Sequence, residues 1–369
     1  ASDLIDAEKY DQARNLIYGY LRNKPSSGEA YRLLGFIDFN NRAYTDSINN
    51  FQKAFERGVK DSNSYFLAAE SAVNIQKYDE AINYYEFASK LDPKDLLVKL
   101  ALADVYTSKS YYDKAKSLYE EILKFDSNMI EANVGLANIE LEKGFTEKSL
   151  LVVNSILSEH DDNAKAHFLK SQIYLKQRDY VKALEEAKSA YFLNKLNIEY
   201  KVQISLVKIR NFITGEAIKE LHEILKEYPD NVYALSTLGE AYFTEGKVKE
   251  GKEVLNKAEE IKKIPYTAQL LALIEFSSEN FIEAEKNYKE FCKRTGNNPQ
   301  SLLEYAEFIE VNKDLDTTIN AYNNVIEKYP NTPFAEIAKK AIEKIQISGK
   351  ELSKRHKGSK FYWLMSAQY

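Results

Sequence analysis

Histidine, cysteine and paired carboxylates are the side chains of this 369-residue chain that could do chemistry, and their spacing argues against each use. None of His160, His167, His222 and His356 sits four residues from another, as a helical His-Glu-x-x-His metal site requires. His160 and His167 are seven apart, nominally one helix face, but the helix-breaking Asp161-Asp162-Asn163 lies between them. Cys292 is the only cysteine, so an internal disulfide or a structural zinc site, which need several ligating sulfurs or histidines, cannot form. On a helical stretch it reads as a small buried hydrophobe. There is no Gly-x-Ser-x-Gly elbow, no phosphate-cradling glycine loop and no Cys–His nucleophile arrangement. Glu120-Glu121 and Glu185-Glu186 lie among lysines and read as solvated surface. The chain is therefore read as no enzyme, with no catalytic residue, metal or cofactor.

The elements that carry these residues repeat. Small residues recur at a 34-residue step through Ala13, Ser47, Ala81, Ala115, Ser149, Ala183, Ala217 and Gly251, and after one 33-residue step at Ala284 and Thr318. A second small-residue ladder runs through Gly35, Ala69, Ala103, Ala137, Ser171, Ser205, Gly239, Ala272 and Ala306. An apolar one follows the first by seven residues, from Tyr20, Ala54 and Ala88 to Phe291 and Val325. Two antiparallel helices per repeat account for this, each presenting a small residue where the backbones approach and where a larger side chain would overpack the contact. All seven prolines fall between repeats or where first helices begin, the positions that tolerate proline.

Residues 62–95 carry Tyr65, Ala68, Ala69, Tyr78, Ala81, Tyr85, Ala88 and Pro93 on signature positions, and on these the chain resembles the tetratricopeptide repeat family. The resemblance covers about residues 1–350. It implies an all-α, right-handed solenoid of tandem helix-turn-helix repeats: a truncated first repeat over 1–27, nine repeats over 28–332 and a capping helix over 333–350, followed by a basic, aromatic tail over 351–369. The repeat from Ile198 to Asn231 departs from the family by placing Lys208 at a usually apolar position and Phe212 at the inter-helix turn, so that either the lysine snorkels its stem along the surface or the repeat is a looser joint.

In the resembling family the first helices line a concave groove. The matching columns here hold Phe39, Phe66, Val73, Leu100, Val134, Leu141, Phe168, Leu175, Val202, Ile209 and Phe243, with Glu70, Asp104, Glu240 and Glu307 among them. The lysine, asparagine and arginine with which the chaperone-binding members grip a C-terminal carboxylate are missing from these places, so that clamp is not expected. An apolar stripe with acidic edges suits a protein or peptide ligand carrying basic and large apolar residues.

After Gly349 the composition turns basic and aromatic, with Lys360, Phe361, Tyr362 and Trp363 the centre of an expected interaction surface. The tail either caps the last helices, docks into an acidic groove of its own or a second chain, or touches a membrane. A net charge of -5 argues against affinity drawn from nucleic-acid phosphates. Hydrophobic content of 44% is too high for a disordered chain, and no stretch approaches the ~20 apolar residues of a membrane span. Ala1 falls within a repeat, so residues are expected to have been removed upstream, either as an export signal or by excision. The compartment stays open between an exported one, periplasmic or envelope-tethered, and the cytoplasm. The function expected is an adaptor or scaffold that binds a protein segment in its groove; the alternative is an architectural subunit, a homo-oligomer joined through its ends or tail.

Overall fold

Two kinds of helix start explain why the chain reverses twice in every repeat. The structure, a computed structural model, describes residues 1–355, of which 348–355 are described by their backbone alone. Most first helices begin at side-chain caps. Ser27, Asp61, Asp95, Asn163, Asn197, Asn231 and Asn298 each accept a hydrogen bond from a backbone N–H of the turn they start, which satisfies one of the donors a helix start leaves free. Most second helices lack such a cap. They start where the preceding first helix closes through a left-handed residue: Glu8, Arg42, Gln76, Ser110, Gly144, Arg178, Phe212, Gly246 and Glu279 have φ between 56° and 86°. The next N–H then bonds back to a first-helix carbonyl, as from Ala43 to Asp38, Lys77 to Ala72 and Tyr111 to Tyr106, each at 2.8 Å. This is a Schellman closure, repeated along the chain. Most of these positions are not glycine, so each carries a local cost of roughly 1–2 kcal/mol.

The chain forms two compact units. Unit 1, Ala1–Ala132, holds the helices α1 (Ser2–Asp6), α2 (Tyr10–Asn23), α3 (Gly28–Asn40), α4 (Tyr44–Glu56), α5 (Ser62–Asn74), α6 (Tyr78–Leu91), α7 (Leu96–Ser108) and α8 (Tyr112–Phe125). Unit 2 runs from Asn133 onward, and α9 (Ile130–Glu142) straddles the division. It continues with α10 (Thr146–Glu159), α11 (Ala164–Lys176), α12 (Tyr180–Leu193), α13 (Ile198–Arg210), α14 (Thr214–Glu227), α15 (Val232–Thr244) and α16 (Val248–Ile261). Its last helices are α17 (Pro265–Ser277), α18 (Phe281–Arg294), α19 (Pro299–Asn312), α20 (Leu315–Lys328) and α21 (Pro333–Arg355). The described residues thus form an all-α solenoid of nine complete helix pairs after a shortened first pair, closed by one more helix. The helix of α21 passes through Gly349 to Arg355, five residues beyond the boundary expected for the capping helix. A single interior glycine costs a helix only about 1 kcal/mol and need not end it.

Both small-residue ladders are buried throughout. The backbones come close enough for Ser47 Oγ to donate to the carbonyl of Gly35 at 3.0 Å and Ser149 Oγ to that of Ala137 at 2.7 Å. A Cβ at Gly239 would lie 2.6 Å from Leu255 Cγ. The third ladder is buried except at its start, where Tyr20 is exposed.

Candidate functional site

In unit 1 the first-helix face keeps its side chains within reach of solvent. Phe39 on α3, Phe66, Glu70 and Val73 on α5, and Leu100 on α7 are half-buried, and Asp104 on α7 is exposed. The two acids are fixed from behind. The Tyr85 hydroxyl on α6 donates to Glu70 Oε1, and the Tyr119 hydroxyl on α8 donates to Asp104 Oδ1 at 2.5 Å. Both rings are fully buried, and burial together with the neighbouring carboxylate pushes each phenol far above its ordinary value. They remain O–H donors, and the carboxylates stay oriented beside the apolar side chains. The Phe66 ring meets Tyr85 edge-on at 5.7 Å, so one tyrosine positions both an acidic and an aromatic member of the face.

These tyrosines are the residues that the columns missed. Each stands four residues after a member of the first ladder and fifteen after the carboxylate it holds, a spacing that by itself reads as a core aromatic. Tyr322 similarly donates to Glu310 at 2.6 Å. Tyr288 has Leu273 at the fifteen-residue offset, and its hydroxyl finds no hydrogen-bond partner among the described residues.

Unit 2 treats the same face differently. Val134, Phe168, Leu175 and Glu307 are half-buried, but Leu141 (2% exposed), Val202 (5%), Ile209 (0%), Glu240 (4%) and Phe243 (8%) are buried and not available to a ligand as the columns had placed them. Val202 and Ile209 pack with Leu221, Ile224 and Leu238, and Phe243 with Leu271, Leu273 and Phe276. Glu240 is paired with Arg210, whose Nε is 2.5 Å away, and accepts the Tyr266 hydroxyl. A carboxylate that looked like a ligand contact is a structural ion pair.

Other candidate side chains are similarly occupied. Both ring nitrogens of His167 are engaged, Nδ1 by Glu186 Oε2 at 2.5 Å and Nε2 by the carbonyl of Asp161 at 2.9 Å. Glu186 is therefore not a solvated surface acid, since it also pairs with Lys170 at 2.8 Å. Glu121 binds the buried Lys99 at 2.7 Å. Lys208 pairs with Glu216 at 3.1 Å and Glu220 at 2.6 Å, which ties α13 to α14 where a looser joint was one of two expectations. The Cys292 thiol is buried, donates to the carbonyl of Ser301 at 3.3 Å and is pushed up by burial to about 12. Such a thiol is a poor nucleophile. Among the described residues no three of His, Cys, Asp and Glu gather as a metal would need, and no helix is long and apolar enough to cross a membrane. Lys360, Phe361, Tyr362 and Trp363 lie outside the described residues.

No curated protein sequence matches the chain. Among solved structures it is similar to a tetratricopeptide repeat protein from Parabacteroides merdae, at 15% identity and a TM-score of 0.46, over 63% of this chain and 93% of that one. Yeast Tom70 aligns over 96% of both chains at 13% identity and a TM-score of 0.43. MamA aligns over 44% of this chain and 95% of its own, at 20% identity and a TM-score of 0.41. Family models described as tetratricopeptide repeat match residues 66–130, 134–196, 214–274 and 300–332. Those stretches make up more than half of the chain, each spans successive helices of the pairs described above or, over 300–332, one pair, and on this agreement the chain belongs to the tetratricopeptide repeat family.

Proposed function

We propose that the chain is a protein-binding scaffold whose ligand, a peptide segment with basic and large apolar residues, lies along the first-helix face of unit 1. Proteins of this family are typically non-enzymatic scaffolds for other proteins, and the proposal adds where and what this one binds. The observation that carries it is the pair of oriented acids, Glu70 and Asp104, set beside the half-buried Phe39, Phe66, Val73 and Leu100. A carboxylate held by a buried phenol presents its remaining lone pairs in a fixed direction, which lowers the ordering cost of pairing with a lysine or arginine. The apolar side chains supply area for a large hydrophobic anchor. Leu141, Val202, Ile209, Glu240 and Phe243 are left out of the contact set because they are buried.

The test is selection of random peptides on the immobilised full chain, followed by titration of a labelled winner. Enrichment in lysine or arginine together with leucine or phenylalanine is expected. Asp104→Lys and Phe66→Ser should each weaken binding by about tenfold, in the usual range for an interface anchor, with helicity unchanged. Selected peptides rich in acids, or affinities indifferent to both changes, would sink the proposal.

A further inference from the structure

The C-terminal residues of the first helices from α3 to α17 occupy one register position, and that position is used in two ways. In unit 1 it is Asn40, Asn74 or Ser108, and each folds back to donate to the carbonyl four residues earlier in its own helix, at 2.8, 2.9 and 3.0 Å. In unit 2 Thr244 folds back in the same way, onto the Glu240 carbonyl at 2.9 Å, but Glu142, Lys176 and Arg210 reach away. Arg210 pairs with Glu240 on the next first helix, whereas Glu142 and Lys176 reach the far end of the unit. Asn298 Nδ2 donates to Glu142 Oε2 at 3.0 Å across 156 residues of sequence. Lys176 Nζ donates to Gln300 Oε1 at 2.7 Å across 124. Gln300 and Gln269 both donate to Glu304, at 2.8 and 2.7 Å. One apolar contact joins this polar set: Phe334, at the start of α21, sits on Gly144, where a Cβ would lie 2.7 Å from its ring.

Unit 2 therefore winds until its first and last repeats touch, through a seam unlike the apolar layers that join neighbouring repeats. The seam is narrow and polar, and its Lys176–Gln300 bond is exposed. Contacts of that kind open at far lower cost than a buried core. Its two ends are also fitted to each other. Asn298 uses Oδ1 to cap α19 through the Ser301 N–H at 2.8 Å while its amide nitrogen serves the seam, a division of labour that aspartate could not perform. Gly144 is glycine at a position where Arg42, Gln76, Ser110 and Arg178 show that the left-handed turn alone does not require it.

We propose that this seam is a latch: unit 2 exchanges between the closed turn and an opened one, and the latch governs access to the first-helix face of unit 2. The proposal is independent of the ligand assigned to unit 1.

Spin labels on the exposed Leu151→Cys and Lys340→Cys, on α10 and α21, report the separation of the two ends by pulsed dipolar spectroscopy; buried Cys292 stays unlabelled. Asn298→Asp keeps the cap, because the two residues cap equally well, but faces Glu142 with a like charge. Gly144→Ala puts a methyl group into the Phe334 ring. Matched controls exist for both. Asn231→Asp changes an equivalent cap, and Gly246→Ala an equivalent left-handed glycine (φ 76°) with nothing within 4 Å of its Cβ. The longer-distance population should rise by about tenfold in Asn298→Asp, as for loss of a hydrogen bond to a charged group, should also rise in Gly144→Ala, and should stay at the parent's level in both controls. Distances unchanged in both seam variants would overturn the latch. So would loss of helicity in Asn298→Asp that Asn231→Asp does not share, because the seam would then be core.

Discussion

Asp104 in unit 1 and Glu240 in unit 2 occupy the same place in their repeats, on helices of equal length that face the same way in the pair. Asp104 is exposed and takes one hydrogen bond from Tyr119; Glu240 is buried between Arg210 and Tyr266. The repeat sets where a side chain stands, and the side chains that adjoining repeats place against it set whether it meets solvent. An exposed acid and a buried structural acid can therefore share one register, and the side chains of the adjoining repeats tell them apart.

The largest effect that would break this comparison follows directly. Glu240→Ala leaves Arg210 without its buried partner and is expected to destabilise unit 2 by about 3–5 kcal/mol, the usual consequence of halving a buried ion pair. Asp104→Ala removes an exposed carboxylate and should cost unit 1 roughly 1 kcal/mol. Amide hydrogen exchange resolved along the chain attributes each loss to its unit, which a single melting curve cannot do when two units unfold separately. Equal losses would mean that the two acids do the same job.

The contact inside a helix pair should, by contrast, be common to both units. A Cβ at Gly35 would meet the Phe51 ring at 2.9 Å in unit 1, and one at Gly239 would meet Leu255 Cγ at 2.6 Å and the Gly251 carbonyl at 3.2 Å in unit 2. Gly35→Ala and Gly239→Ala are each expected to cost about 1–3 kcal/mol by overpacking. At Gly215, on the outside of α14, nothing lies within 4 Å, and alanine there should stabilise by roughly 0.5–1 kcal/mol. A variant at Gly35 or Gly239 as stable as the parent would show that the small-residue ladder does not set the helix spacing in that unit.

That ladder is why so much of the fold was legible. Small residues at a fixed step mark where two backbones touch, and the observed first helices start at Gly28, Ser62, Leu96 and so on to Pro299, in the same 34-residue rhythm. The candidate site was only half legible. The columns through Phe66 and Asp104 came from the first-helix face that the family resemblance implies together with helical spacing, and unit 1 leaves that face accessible. The burial of Ile209 and Phe243 was not available from spacing, since a column gives the direction of a side chain and says nothing of how tightly the next repeat packs over it. The tyrosines behind Glu70 and Asp104 escaped for another reason: a fully buried ring reads as core, and spacing does not show that its hydroxyl reaches a carboxylate of the face.

The smallest effect concerns pH, and it should divide the units again. The register that holds Tyr31 and Tyr65 in unit 1 holds His167 in unit 2. Tyr31 lies under the Arg57 guanidinium and Tyr65 stacks on Phe55 at 3.8 Å, contacts that do not titrate near neutrality. His167 faces two acceptors, the Glu186 carboxylate and the Asp161 carbonyl, so both its nitrogens carry protons. The hydrogen bond to Glu186 raises its affinity for the second proton above the ordinary value, against the opposing effect of burial. The stability this adds is complete below about 6.5, the ordinary histidine value, and is lost as pH rises through the higher value of the folded state. Glu186 behaves in the opposite sense. Burial would raise its value, but the bonds to His167 and Lys170 prevail and lower it, so its share is lost only as pH falls below the ordinary carboxylate value of about 4.3. The tie among α11, α12 and the turn before α11 is thus strongest between about 4.3 and 6.5 and weakens on the alkaline side first. Hydrogen exchange, corrected for its intrinsic pH dependence, should show α11 and α12 less protected at pH 8.5 than at pH 6, with α5 and α6 unchanged, and His167→Gln should remove the difference. A slope that survives in His167→Gln, or one that appears equally in α5 and α6, would place the pH response elsewhere than in this pair.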